Sequence, residues 1–169
     1  METNKFLSLF ILLISGCFMM ANAQDEADKD FDSFLKKFTS SAEFQYSRVR
    51  FPLETPIFLL NEDGTEQEMP FTMNEWPLLS EEDMKERRLN TQDGVYFARF
   101  NVKEKNHVEF EAGLEESELD LNVVFDLVDG KWYVIDCFSG WYGSATPNDI
   151  DAIVYEVQQK NQDFEKKRP

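Results

Sequence analysis

Residues 119–138 read LDLNVVFDLVDGKWYVIDCF. Leu119, Leu121, Val123, Phe125 and Leu127 recur at every second position, the period of a strand buried on one face. Asp129-Gly130 then separates two apolar runs, a dipeptide suited to the positive-φ positions of a two-residue hairpin turn. The expected register sets Leu127 opposite Trp132, Phe125 opposite Val134 and Val123 opposite Asp136. Strict alternation then places Asp136 with Trp132, Val134 and Phe138 on the more apolar face. A carboxylate there costs several kcal/mol unless it is paired, hydrogen-bonded or near water. Asp136 is therefore expected at a pocket mouth, paired with Arg48 or Arg99, or with a raised pKa.

Upstream, Val95 to Val102 alternates through Tyr96, Ala98 and Phe100. Val108, Phe110 and Ala112 resume the pattern after a polar loop at 103–107, so 100 should face 110 and 102 should face 108. Ile57 to Leu60, a turn at Glu62-Asp63-Gly64 and a return over 66–71 suggest a further hairpin. Phe31, Phe34, Leu35 and Phe38 form the stripe of an amphipathic helix. Phe44 to Phe51 reads as a strand ended by Pro52. Ser80 with Asp83 resembles a capping box before a helix from Met84 to Leu89. Pro147 opens a last helix through Ile150, Ile153, Val154 and Val157. The order is α+β: a mostly antiparallel sheet with N-terminal and C-terminal helices, and a four-strand meander in the second half.

The chain has 169 residues, 42% hydrophobic and 30% charged, with 17 Lys+Arg against 33 Asp+Glu and a formal charge of −16. Such a surface repels phosphate backbones and anionic headgroups, which argues against nucleic acid as a partner. Lys5 followed by FLSLFILLI (residues 6–14) matches a secretory signal, whose apolar region needs about 7–15 residues. Ala21-Asn22-Ala23 before Gln24 is a site for ordinary cleavage. Ile14-Ser15-Gly16-Cys17 resembles a lipobox, with Cys17 as the lipidated residue. Ordinary cleavage is favoured, because Phe18-Met19-Met20-Ala21 is not a polar tether. The export product is periplasmic or secreted, with an outer-membrane lipoprotein as the alternative, and it meets a membrane only through lipid on Cys17. The expected division is a signal peptide at 1–23, a polar lead-in at 24–30, one α+β domain at 31–165 and a charged tail at 166–169.

Phe31-x-x-Phe34-x-x-x-Phe38, then Phe44-Gln45-x-Ser47-Arg48-Val49-x-Phe51-Pro52-Leu53, resembles the opening of the family called "domain of unknown function 4348". Val124-Phe125-Asp126-Leu127 and Gly130-Lys131-Trp132-Tyr133 are similar to that family's final hairpin. The resemblance covers most of residues 30–138. It implies secretion from anaerobic Gram-negative bacteria and the nuclear-transport-factor-2-like (cystatin-like) cone, a curved sheet wrapping helices around a pocket. It implies no activity, and fold alone does not supply one.

Reactive side chains are scarce. The one His, His107, sits in a loop, and Cys137 is the thiol left after export, with no basic neighbour to lower its pKa. The clusters Glu115-Glu116-x-Glu118-x-Asp120 and Asn148-Asp149-x-Asp151 lack the spacing of a calcium loop and read as solvated faces. No metal site and no cofactor is expected, since phosphate, dinucleotide, hydrolase and zinc signatures are missing from the sequence. Arg48 and Arg50 form either an exposed or salt-bridged face or an anion clamp. Trp141-Tyr142, between two glycines, is either a pocket rim or partner contact, or the plug where the last helix meets the sheet. The leading expectation is a non-catalytic module binding a small molecule or envelope protein, with Asp136, Trp132, Trp141, Tyr96 and Arg48 as candidate contacts. An acid–base enzyme of ketosteroid-isomerase or dehydratase type, using Asp136, is the alternative; a structural protein with a closed core is the third.

Overall fold

The computed structural model describes residues 26–168. The expected signal, Cys17 and the Ala23–Gln24 cleavage point lie outside the described residues. Helices α1 (Phe31–Phe38) and α2 (Ala42–Ser47) come first, followed by a hairpin of β1 (Ile57–Leu60) and β2 (Glu66–Met69). Strands β3 (Arg87–Asn90), β4 (Val95–Lys103), β5 (His107–Leu114), β6 (Leu119–Val128) and β7 (Lys131–Ser139) form one antiparallel sheet in sequence order. Helix α3 (Ile150–Lys167) closes the chain and reaches two residues into the expected tail. The architecture is the expected α+β one, with a five-strand meander where four strands were expected.

The Asp129-Gly130 turn forms with both residues at positive φ, 51° and 77°, and pairs Val128 with Lys131 and Phe125 with Val134. Beyond that point the register slips. A bulge at Ile135 pairs Asp136 with Val124 and Cys137 with Val123. Cys137 thus takes the core position expected for Asp136, and Phe138 turns outward, 38% exposed. One inserted residue exchanges the faces of everything after it. A second bulge keeps Phe100 opposite Phe110 but sets Val102 opposite Glu109 instead of Val108.

Helix α1 starts where Asp30 accepts a 2.7 Å hydrogen bond from the Ser33 N–H. Its stripe of Phe31, Phe34 and Phe38 is buried against the sheet, with the Phe31 ring 5.2 Å from Phe125 and 5.1 Å from Trp132. Each such ring contributes roughly 1.5–3 kcal/mol by leaving water. Trp132 is therefore a core residue, not a pocket wall.

Two expected elements change type. Phe44 to Phe51 is not a strand. Ser41 caps α2 by accepting from the Phe44 N–H, and the chain after the helix meets the sheet in an isolated parallel bridge of Val49 to Val134, where the Arg48 carbonyl accepts from the Val134 N–H and the Arg50 N–H donates to the Val134 carbonyl. The helix Met84–Leu89 is not formed either. Ser80 and Asp83 do make the reciprocal bonds of a capping box, but a single turn follows. Arg87 to Asn90 are then drawn into register with β4, Arg87 opposite Ala98. Pairing and packing override a short local signal in both places.

Candidate functional site: a mixed cavity beneath helix α3

Two buried side-chain amides anchor the segment Trp76–Leu79. Gln45, fully buried on α2, donates through Nε2 to the Phe38 and Leu79 carbonyls at 2.9 and 3.0 Å. Its Oε1 accepts from Trp76 Nε1 at 3.1 Å and from the Leu79 N–H at 2.7 Å. Asn161, buried on α3, accepts from the Leu78 N–H and donates to the Trp76 carbonyl, both at 2.8 Å. Every polar group of this irregular segment that faces the two amides is thereby satisfied. The segment is held rigidly enough to serve as a wall.

That wall bounds a cavity of about 260 Å³. Leu78, Leu79 and Val157 supply a buried apolar floor, while Tyr96 of β4 and Trp141 stand half-buried at its sides. The rim carries Asp83, Arg87, Asp120 and Lys160. Two rim cations sit on the two aromatic walls: Lys160 Nζ lies 4.0 Å from the Trp141 ring centroid and Arg87 Cζ 5.4 Å from that of Tyr96. Such contacts orient a cation without neutralising it. Arg87 also donates to the Glu82 carbonyl and carboxylate, and Asp83 accepts from Ser80. Gly140 brings the far wall close. A Cβ there would stand 2.9 Å from the Asp120 carbonyl oxygen, so the chain before Trp141 packs directly on β6.

Trp141 and Tyr142 divide the two expected roles between them. Trp141 lines the cavity, and Tyr142 is a buried plug whose hydroxyl donates to the Glu75 carbonyl. Of the five expected contacts, Tyr96 and Trp141 meet in this cavity and the other three lie elsewhere. Arg48 is buried in a bidentate pair with Asp28, 2.7 and 2.8 Å, and Asp28 also accepts from the Trp132 N–H. Residues 26–28, expected as part of a polar lead-in, thus bury Ala27 and Asp28.

Asp136 is not among the residues that line this cavity. Its Oδ1 accepts from the N–H groups of Thr55 and Cys137, and its Oδ2 from the Thr55 hydroxyl at 2.7 Å. The carboxylate clamps the 52–56 loop to β7. Neither expected arginine reaches it: Arg48 pairs with Asp28, and Arg99 with Glu111.

His107 is not free in a loop; it opens β5 facing Asp126, with Nδ1 2.6 Å from that carboxylate and Nε2 2.9 Å from Glu109. Hydrogen bonds to Glu109 and Asp126 raise its pKa above the ordinary imidazole value. Cys137 is a buried free thiol, and burial pushes its pKa up, away from nucleophilic use. Among the described residues no group of three or more His, Cys, Asp or Glu side chains is gathered as for a metal ion. The amide hub of Gln45 and Asn161 was not identified from the sequence. Gln45 does lie inside the Phe44–Leu53 run whose specificity was visible there.

A protein-family model matches residues 29–165. A cystatin-like protein from Bacteroides caccae is 50% identical, with 82% of this chain and 95% of that one covered at a TM-score of 0.79. The chain belongs to this family of cystatin-like Bacteroides proteins. A protein from Bacteroides uniformis is 51% identical over 83% of this chain and 97% of that one, also at a TM-score of 0.79. One from Bacteroides ovatus is 51% identical, covering 83% and 93%, at 0.77. No curated protein matches the chain. Family membership accounts for the α+β sheet-and-helix architecture; the chemistry of the cavity is this chain's own evidence of use.

Proposed function

We propose that this is an exported envelope protein that holds a small ligand in the Tyr96–Trp141 cavity without transforming it. The carrying observation is the cavity itself: two half-buried aromatic walls over a buried aliphatic floor, opening at a charged rim. Recognition sites for small molecules combine an apolar body with a few placed polar groups. An acid–base enzyme needs a carboxylate and a second donor converging on a reacting atom. Asp136, the carboxylate named for that role, faces Thr55 instead, which favours binding over catalysis.

The finer family assignment, to "domain of unknown function 4348" with a nuclear-transport-factor-2-like cone, belongs to the same proposal. It is supported by the Phe44–Leu53 run and the final hairpin. So does the location: cleavage after Ala23 and release to the periplasm or medium, with lipidation of Cys17 and outer-membrane anchoring as the competing outcome. Intact mass of the exported product separates the two.

Native mass spectrometry of protein purified from its envelope tests the ligand. A retained small molecule that is lost in Trp141→Ala, with the variant's melting temperature kept, is the expected result. Retention unchanged by Trp141→Ala sinks the cavity assignment. A protein partner is the second reading, favoured by the outward Phe58 and Phe138 beside a smaller apolar cleft of about 130 Å³.

A further inference from the structure

We propose that the cavity's ligand is a small zwitterion with an apolar side chain, of the chemical class of a free α-amino acid or dipeptide. This rests on the cavity reading above and names its substrate class. The volume, about 260 Å³, lies just under the ~300–1,000 Å³ of drug-sized sites. It has room for one compact side chain.

The polar groups then fix the head. Of the four rim charges, Arg87 and Asp83 are already engaged by Glu82 and Ser80. Lys160 and Asp120 make no ion pair among the described residues, and both are exposed at the mouth. In a chain with 33 acidic side chains, an ammonium stacked on Trp141 without a carboxylate partner is well placed for an incoming anion. One free charge of each sign suits a ligand carrying both, and a singly charged ligand would leave one of them without a counterpart. Deeper in, Ser139 lines the cavity; it gives the following turn no side-chain cap bond, and its hydroxyl is not sealed away from the cavity's solvent. That hydroxyl is free to donate to a carboxylate or peptide carbonyl of the ligand. Leu78, Leu79 and Val157 take the apolar side chain.

Isothermal titration of the purified protein, cleared of retained ligand, tests this with L-leucine and L-phenylalanine, their amides, and their N-acetyl derivatives. At least one free amino acid should bind more tightly than both of its derivatives, by about three- to fivefold for each exposed charge removed. Lys160→Gln should erase the advantage over the amide and keep that over the N-acetyl form. Asp120→Asn should do the reverse. Equal binding of all three forms, or tightest binding of the N-acetyl acid, overturns the zwitterion and leaves the cavity reading standing. So does a retained ligand in native mass spectra when no probe binds. No retained ligand and no probe binding overturn both.

Discussion

Gln45→Met keeps the volume of a fully buried side chain and removes its four hydrogen bonds. The indole N–H of Trp76 and the backbone N–H of Leu79 lose their acceptor inside the core, while two carbonyls lose a donor. Orphaned buried donors cost roughly 1–3 kcal/mol each. The thioether regains about 1 kcal/mol by burying apolar atoms in place of an amide. The net loss is about 3 kcal/mol, a large part of the ~5–15 kcal/mol that holds a domain together. A chain of this size should melt about 6–12 °C lower. Urea unfolding followed by tryptophan fluorescence measures the loss, with Trp76 reporting on the hub itself. Because Leu78 and Leu79 form the cavity wall, amide exchange at both should accelerate before global unfolding, and retained ligand should fall. A loss under about 1 kcal/mol, or unchanged exchange at Leu79, refutes the claim that Gln45 holds the wall.

Asp28→Asn should destabilise by about 3–5 kcal/mol, since it removes the carboxylate charge from the buried bidentate pair with Arg48; chemical denaturation checks it, and a neutral result removes residues 26–28 from the fold. Gly130→Val should cost about 1 kcal/mol or more in the same assay, because a β-branched residue resists the φ of 77°. His107 gives a pH signature. Its folded-state pKa is raised by Glu109 and Asp126, so the stabilisation is fully present below the unfolded imidazole value and lost as pH rises through the folded one. His107→Gln should therefore lower the melting temperature at pH 6 more than at pH 9, and an equal drop at both would show that the charge plays no part.

The sequence by itself determined the features that are local. Period-two alternation placed β4, β5, β6 and β7, the Phe31–Phe38 stripe placed α1, and Asp129-Gly130 placed the turn, because each depends on residues within one or two turns of chain. Charge, the scarcity of His and thiol groups, and two of the cavity's aromatic walls were legible for the same reason. What only the tertiary structure decided depends on groups far apart in the chain. The bulge at Ile135 adds one residue that no hydrophobic pattern distinguishes, yet it turns Asp136 away from the core face and gives that place to Cys137. Asp28 reads as part of a polar lead-in and Arg48 as a strand-face charge or anion clamp; only folding brings them within 2.7 Å of each other, 20 residues apart. Gln45 and Asn161 read as ordinary polar residues until both meet the Trp76–Leu79 segment. A buried polar group is stable only with its partners in place, and partners contributed by distant segments are set by how the chain packs, not by the residues beside them.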